Sequence, residues 1–299
     1  MRYCIAFLVL VLFSTQGQAQ SYSAWKKTRA ELCLGLGVAN FLGDLGGANQ
    51  IGTDYFADLE MNTTRPALTM GLRYKLDPHQ ALYGGFAWGM VAGDDRLTQW
   101  PDRNGRQLQF RSHILELGIR YEFLVVKERV GHIYKLKNIK GQKRLGIYPY
   151  GFIGINGFYF DPQGKDASGN WVGLRKYNTE GQGVIPTRRP YSPIGISIPF
   201  GFGFRRAIDK RWMWGIEYGL RKTFTDYIDD VSTTYFDNAT ISSYYGPTAA
   251  YVADPNNGAN EHYVAGQQRG DPTDNDAYMF FTVTVSYKLK TGRNGVWKF

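Results

Sequence analysis

Cysteine is almost missing. The 299-residue chain has two, Cys4 and Cys33. Cys4 falls inside an N-terminal stretch that reads as an export leader: Arg2 supplies a positive start, Tyr3 to Phe13 is apolar, and Gly17-Gln18-Ala19 places small residues at a cleavage site. The expected leader is residues 1–19, with the mature chain beginning at Gln20. Cys4 lies too early to carry a lipid anchor. Cys33, left alone, cannot form an intramolecular disulfide, which excludes a stapled secreted mini-domain.

Histidine is also scarce, with four in the chain, and there is no HExxH or CxxC. That argues against a transition-metal centre. His79 falls in a short turn, His132 in a basic segment and His262 in a long loop. His113 follows Ser112, but neighbours on a strand point to opposite faces. A nucleophile and its base must reach each other, so the expectation is a non-enzyme. The enzymatic alternative is a lipid-modifying barrel whose Ser, His and acid meet across strands.

Long apolar runs are the third absence. Beyond the leader no segment approaches the roughly 20 residues of a helical span. Mean hydropathy is −0.36. What the chain has instead is 36 glycines, 21 tyrosines, 18 phenylalanines and 7 tryptophans. Exported, aromatic, glycine-rich and only modestly apolar, it fits a transmembrane β-barrel.

Period-two alternation tests this. "ELCLGLGVANF" puts Leu32, Leu34, Leu36 and Val38 on one face, with Cys33, Gly35, Gly37 and Ala39 on the other. "ALTMGLRYK", "ALYGGFAWGM", "HILELGIRYEF", "ISIPFGFGFRR", "WMWGIEYGLRK" and "YMFFTVTVSYKL" alternate likewise. "YPYGFIGINGFYF" is less regular, and its large aromatics Tyr150, Phe152, Phe158 and Phe160 are expected outside. The reading is an all-β fold: a transmembrane antiparallel eight-stranded up-and-down barrel. Such a barrel is filled by its own side chains. Arg73, Glu116, Arg120, Glu122, Glu217 and Arg221 project inward by parity and are expected to plug it as ion pairs.

Short turns should face the periplasm and long loops the exterior. "LDPHQ" and "AIDKR" are short, whereas 43–65, 93–109, 161–194 and 224–276 are long. The connection 127–145 breaks the rule. From 127 to 144 it carries seven bases (Lys127, Arg129, Lys135, Lys137, Lys140, Lys143, Arg144) and one acid, Glu128, a net of +6. With Tyr134 and several aliphatics among the charges, it reads as a docking element for acidic lipid or an acidic protein. An exported barrel meets no nucleic acid, so that partner is excluded. The outer loop 224–276 holds nine acids and one base, Arg269, a net of −8. It opens on "TFTDYIDDVS". Its expected role is a solvated acidic face, with Phe224 and Tyr227 at the membrane boundary and Asp226, Asp229 and Asp230 fixing the first turn. No cofactor is expected; calcium in this loop is the alternative, since oxygen ligands are plentiful there.

Three stretches together resemble a known family: "ELCLGLGVANFLGDLGG" (31–47), "IPFGFGFRRAIDKRWMWGIEYGLRKTFTDYIDDVS" (198–232) and "RGDPTDNDAYMFFTVTVSYKL" (269–289). In order and spacing they look like the PorG-like outer-membrane barrels of the type IX secretion system. The resemblance implies a barrel in a Gram-negative outer membrane that contacts a periplasmic ring of the PorK lipoprotein and PorN, as an anchor and not as the translocation channel. Its rival is a stand-alone structural or adhesive small barrel.

Overall fold

Strand alternation becomes a closed wall in the computed structural model, which describes residues 26, 28–45, 61–97, 101–128, 146–209, 211–256, 261–291 and 297–298. The expected leader and most of the 127–145 connection lie outside the described residues. The strands are β1 (Ala30–Leu42), β2 (Arg65–Lys75), β3 (Gln80–Asp94), β4 (Gln109–Leu124), β5 (Ile147–Lys165), β6 (Trp171–Gly173), β7 (Ile194–Ala207), β8 (Trp212–Thr223), β9 (Ala277–Thr291) and β10 (Trp297–Lys298). Eight of them form the barrel. Each pairs antiparallel with its neighbours, and β1 pairs along its whole length with β9, from Ala30 opposite Leu289 to Leu42 opposite Ala277. No free edge remains in the ring, the condition for a sheet in lipid. β6 extends the outer rim beside β5, and β10 folds back on the end of β9.

The outer wall is apolar. Leu36 and Leu117 are 68% and 70% exposed, and Ile119, Phe202 and Val283 continue the band around the barrel. The opposite parity is buried and, in the lower half, charged.

Both tight turns use the same device. Asp77 Oδ1 accepts from His79 N at 2.6 Å. Asp209 Oδ1 accepts from Arg211 N at 2.6 Å and from Trp212 N at 2.7 Å. An aspartate that bonds the backbone two residues on closes a turn without a longer loop.

One strand reverses the expectation. Tyr150, Phe152, Phe158 and Phe160 of β5 are buried in the lumen, while Ile153, Ile155 and Tyr159 face outward. Both parities of β5 are apolar, so hydrophobicity alone cannot orient it. The neighbouring strand decides. β7 presents glycine opposite the large rings: Tyr150 faces Gly203, Phe152 faces Gly201 and Phe158 faces Gly195. A methyl group on Gly203 would stand 2.6 Å from the Tyr150 ring. The small residues make the interior space that the aromatics fill.

The lumen therefore has two storeys. The outer one is apolar, with Phe110, Ile114, Phe158, Phe160, Tyr278 and Phe280 from the wall and Leu45, Ile228 and Val231 from the loops above. The inner one is ionic.

Candidate functional site

Parity delivers acids and bases to the same height of a narrow lumen, and they pair. Arg73 Nε donates to Glu122 Oε2 at 2.5 Å. Arg120 holds Glu217 at 2.5 Å and Glu122 at 3.0 Å, and Tyr150 OH donates to Glu217 at 2.7 Å. Higher up, Arg221 Nε reaches Glu116 at 3.1 Å, and Tyr278 OH donates to the same carboxylate at 2.6 Å. The six interior charges named from sequence thus all stand in the lumen.

Five more join them. Glu31 forms ion pairs with Lys75 at 2.6 Å, Arg205 at 3.0 Å and Arg73 at 3.2 Å. Glu128 accepts Lys288 at 2.5 Å, Lys75 at 2.8 Å and Arg205 at 3.5 Å. Parity sets Lys75, Arg205 and Lys288 inward, and Glu31 follows by the same rule, because each alternates with outward apolar residues. Glu128 had no such signal. It lies past the end of β4, and sequence assigned it to the basic connection. It turns back under the barrel and is 4% exposed, a correction to that assignment. Its backbone position is set beside the first tight turn, where Glu128 N approaches Pro78 O.

Within the ionic storey lies a cavity of about 40 Å³ bordered by Cys33, Arg73, Tyr83, Asn156, Glu217 and Thr284. It has room for a few waters. Arg120 also sits over the Tyr83 and Phe152 rings, at 4.1 and 4.3 Å from their centroids. Among the described residues these side chains leave no path for a polypeptide through the lumen.

The stretch from 223 to 232 is not a solvated face. Asp229 and Asp230 are fully buried and Asp226 nearly so; only Phe224 is exposed, with Tyr227 half-buried. Asp229 and Asp230 accept bonds from three long loops. Asp229 takes Leu45 N at 3.1 Å and Val231 N at 2.9 Å. Asp230, in the left-handed region at φ +67°, takes Thr179 Oγ1 and Tyr191 OH, both at 2.6 Å. Tyr191 stacks on Tyr227 with centroids 4.6 Å apart. Asp276, at the far end of the loop, takes Ile228 N at 2.8 Å. Arg269, the loop's one base, is buried, pairs with Glu180 at 2.9 Å and donates to the Asp230 carbonyl at 2.6 Å. Glu180 in turn accepts Ser232 N at 2.9 Å. Loops of this length bury their own core, so Asp229 and Asp276 serve as acceptors for loop backbone and Asp230 for loop hydroxyls, and much of the −8 is internal. Asp237, Asp271 and Asp274 are the described acids that stay exposed.

Crowding perturbs these carboxyls. Burial pushes Asp226 up to about 8, reinforced by Asp44, Glu180 and Asp271. Burial raises Asp229, with repulsion from Asp44, and raises Asp276, with repulsion from Asp229 and Asp226. Asp230 is pushed up to about 6 by burial, against the pull of Arg269. Among the described residues no three His, Cys, Asp or Glu are placed to hold a metal ion.

Ser112 and His113 do part to opposite faces. Ser112 is buried and accepts from Asp161 N at 3.1 Å. His113 stacks on outward Trp88 with centroids 6.0 Å apart. His79 Nδ1 lies 3.0 Å from the Leu124 carbonyl oxygen. Of the eight residues expected to bind a partner, Lys127 is described and exposed. Arg129, Tyr134, Lys135, Lys137, Lys140, Lys143 and Arg144 lie outside the described residues.

Among solved structures the chain is similar to three outer-membrane or surface proteins. Ail of Yersinia pestis is 8% identical, with 87% of this chain and 98% of that one covered and a TM-score of 0.36. Neisserial surface protein A is 7% identical, with 87% and 96% covered and a TM-score of 0.37. OprG of Pseudomonas aeruginosa is 11% identical, with 87% and 96% covered and a TM-score of 0.35. At these values the barrel assignment stands on the strand pairing itself. No curated protein sequence matches the chain. The family model described as "Domain of unknown function (DUF6089)" matches residues 4–246, and the chain belongs to that family.

Proposed function

We propose that this barrel is a non-enzymatic outer-membrane component of the type IX protein secretion machinery. It anchors a periplasmic ring of the PorK/PorN type. The observation that carries this reading is the filled lumen. With charge below, aromatics above and only a cavity of water size among the charges, the molecule works through its surfaces. On the periplasmic side two of the three connections are tight turns, at 76–79 and 208–211. The third is the basic, partly apolar stretch after Glu128, which is the natural place for a partner. The PorG-like resemblance of the three sequence stretches names that partner.

The test is affinity capture from gently solubilised native membranes, with the tag in the outer loop 224–276 and mass spectrometry of what co-purifies. Recovery of the ring lipoprotein and its partner is expected. Deleting residues 130–143 is expected to abolish it while leaving the barrel folded. Glu128 must be spared, because it belongs to the lumen network. A clean barrel, under conditions that keep the ring intact, overturns the reading in favour of a stand-alone structural barrel. A changed lipid A profile on deletion of the protein would favour the lipid-modifying enzyme.

A further inference from the structure

Above the apolar belt, β4 and β5 continue outward as a ribbon with β6 at its side. On β4 the last large apolar residue of the outer face is Leu115, and Arg111 stands four residues higher on the same face. At ~3.3 Å per residue and a tilt of ~40°, that is about 10 Å further along the membrane normal. On β5 the corresponding residues are Tyr159 and then Gln163 and Lys165. Trp171 of β6 lies directly opposite Lys165. The Trp171 ring reaches across the ribbon, 4.3 Å from the Arg111 guanidinium and 5.3 Å from Lys165 Nζ.

The pairing state of these two cations differs from that of Arg96 and Lys222. Arg96 is taken by Asp94 at 2.6 Å, and Lys222 by Asp274 at 2.9 Å. Arg111 and Lys165 make no ion pair with a carboxylate among the described residues. Arg111 Nε donates to Gln163 Oε1 at 3.0 Å, which fixes the guanidinium plane over the indole. Its terminal nitrogens have no protein acceptor among the described residues. Asp161, the acid on the same face, accepts from Gln163 Nε2 at 3.3 Å. An indole holds a cation without neutralising it. A guanidinium so held presents its N–H edge to an oxyanion, the geometry in which arginine binds phosphate.

We infer that Arg111, Trp171 and Lys165 form a site on the outer wall for the phosphate-bearing headgroup of an outer-leaflet glycolipid. Height selects the ligand: the site faces lipid, just above the hydrocarbon, where such headgroups lie. The inference rests on the part of the proposed function that sets the long loops outside, and on none of the ring contacts.

The experiment measures retention of bis-phosphorylated lipid A, and of the same lipid A after phosphate removal, by the purified full-length barrel in detergent, using native mass spectrometry. Wild type should retain the phosphorylated form in preference. The R111Q/K165Q double variant should retain it at least about fivefold less, given the worth of a basic residue near an anionic surface. K222Q should behave as wild type. The heat-dependent mobility shift of a folded barrel on gels checks each variant's fold. Equal retention by the double variant, or no preference for the phosphorylated lipid in wild type, overturns the site. So does equal competition by a soluble anionic polysaccharide, which would make the surface a general anion binder. No ring protein is present, so loss of ring capture and loss of this site are read separately.

Discussion

Lys75 Nζ donates to Glu128 Oε1 at 2.8 Å across the floor of the barrel. One partner belongs to β2; the other lies beyond the last residue of β4. The pair ties the start of the basic connection into the lumen, so the connection begins from a fixed point. Glu128→Ala would leave Lys75, Lys288 and Arg205 short of a carboxylate. Removing one member of a buried ion network costs about 3–5 kcal/mol. A lowered midpoint for loss of the folded gel band is expected, with Lys127→Ala unchanged. Equal midpoints for the two variants would deny Glu128 this role.

The basic stretch should act through charge. Reversing Lys135, Lys137, Lys140 and Lys143 to Glu is expected to weaken ring capture more at low salt than at high salt, because exposed charges are screened within about 10 Å at 0.1 M salt. A deficit that ignores salt would assign the contact to the aliphatic residues and Tyr134.

The outer loops should loosen as pH rises. Asp226 has its folded value raised to about 8. A carboxyl raised in this way holds its proton in the folded loop when the unfolded chain has already released it. Its stabilising contribution is therefore complete below about pH 4, the unfolded value, and is lost as pH climbs toward about 8. The raised Asp229 and Asp276 act in the same sense. Protease cleavage within 224–276, normalised to an unfolded substrate at each pH, should increase across that window. Asp226→Asn should flatten the rise, and an unchanged profile in that variant would remove Asp226 as the cause.

The inward rings of β5 depend on the glycines of β7. Gly203→Ala places a methyl against Tyr150, whose ring and hydroxyl supply its three nearest atoms. Overpacking of this kind costs about 1–3 kcal/mol. Adding Tyr150→Leu should return part of the loss, which a double-mutant cycle in urea would reveal as coupling. Purely additive effects would place the clash elsewhere.

Most of the wall was legible because seven strands carry an apolar face against a small or charged one. Leu115, Leu117 and Ile119 alternating with Glu116, Gly118 and Arg120 leave one orientation only. β5 was not legible from its own residues. Isoleucines compete there with phenylalanines, and the glycines that settle the contest stand about fifty residues later in the chain. The same distance problem hid the outer-loop base. "DYIDDVS" looks solvated until Leu45, Thr179, Tyr191 and Arg269 arrive from other segments. Glu128 escaped for a different reason: beyond a strand end, parity has nothing to say.

The ionic storey of the lumen also constrains how the molecule can come into being. Glu31 of β1 is satisfied by Arg73 and Lys75 of β2 and by Arg205 of β7. Glu128 draws on β2, β7 and β9. A sheet that has not yet joined β1 to β9 would keep the β1–β2 pairs but carry Arg205 and Lys288 away from Glu31 and Glu128, an arrangement the hydrocarbon layer strongly opposes. Insertion and seam closure are thereby made one event, and a half-built wall has no stable place in the bilayer.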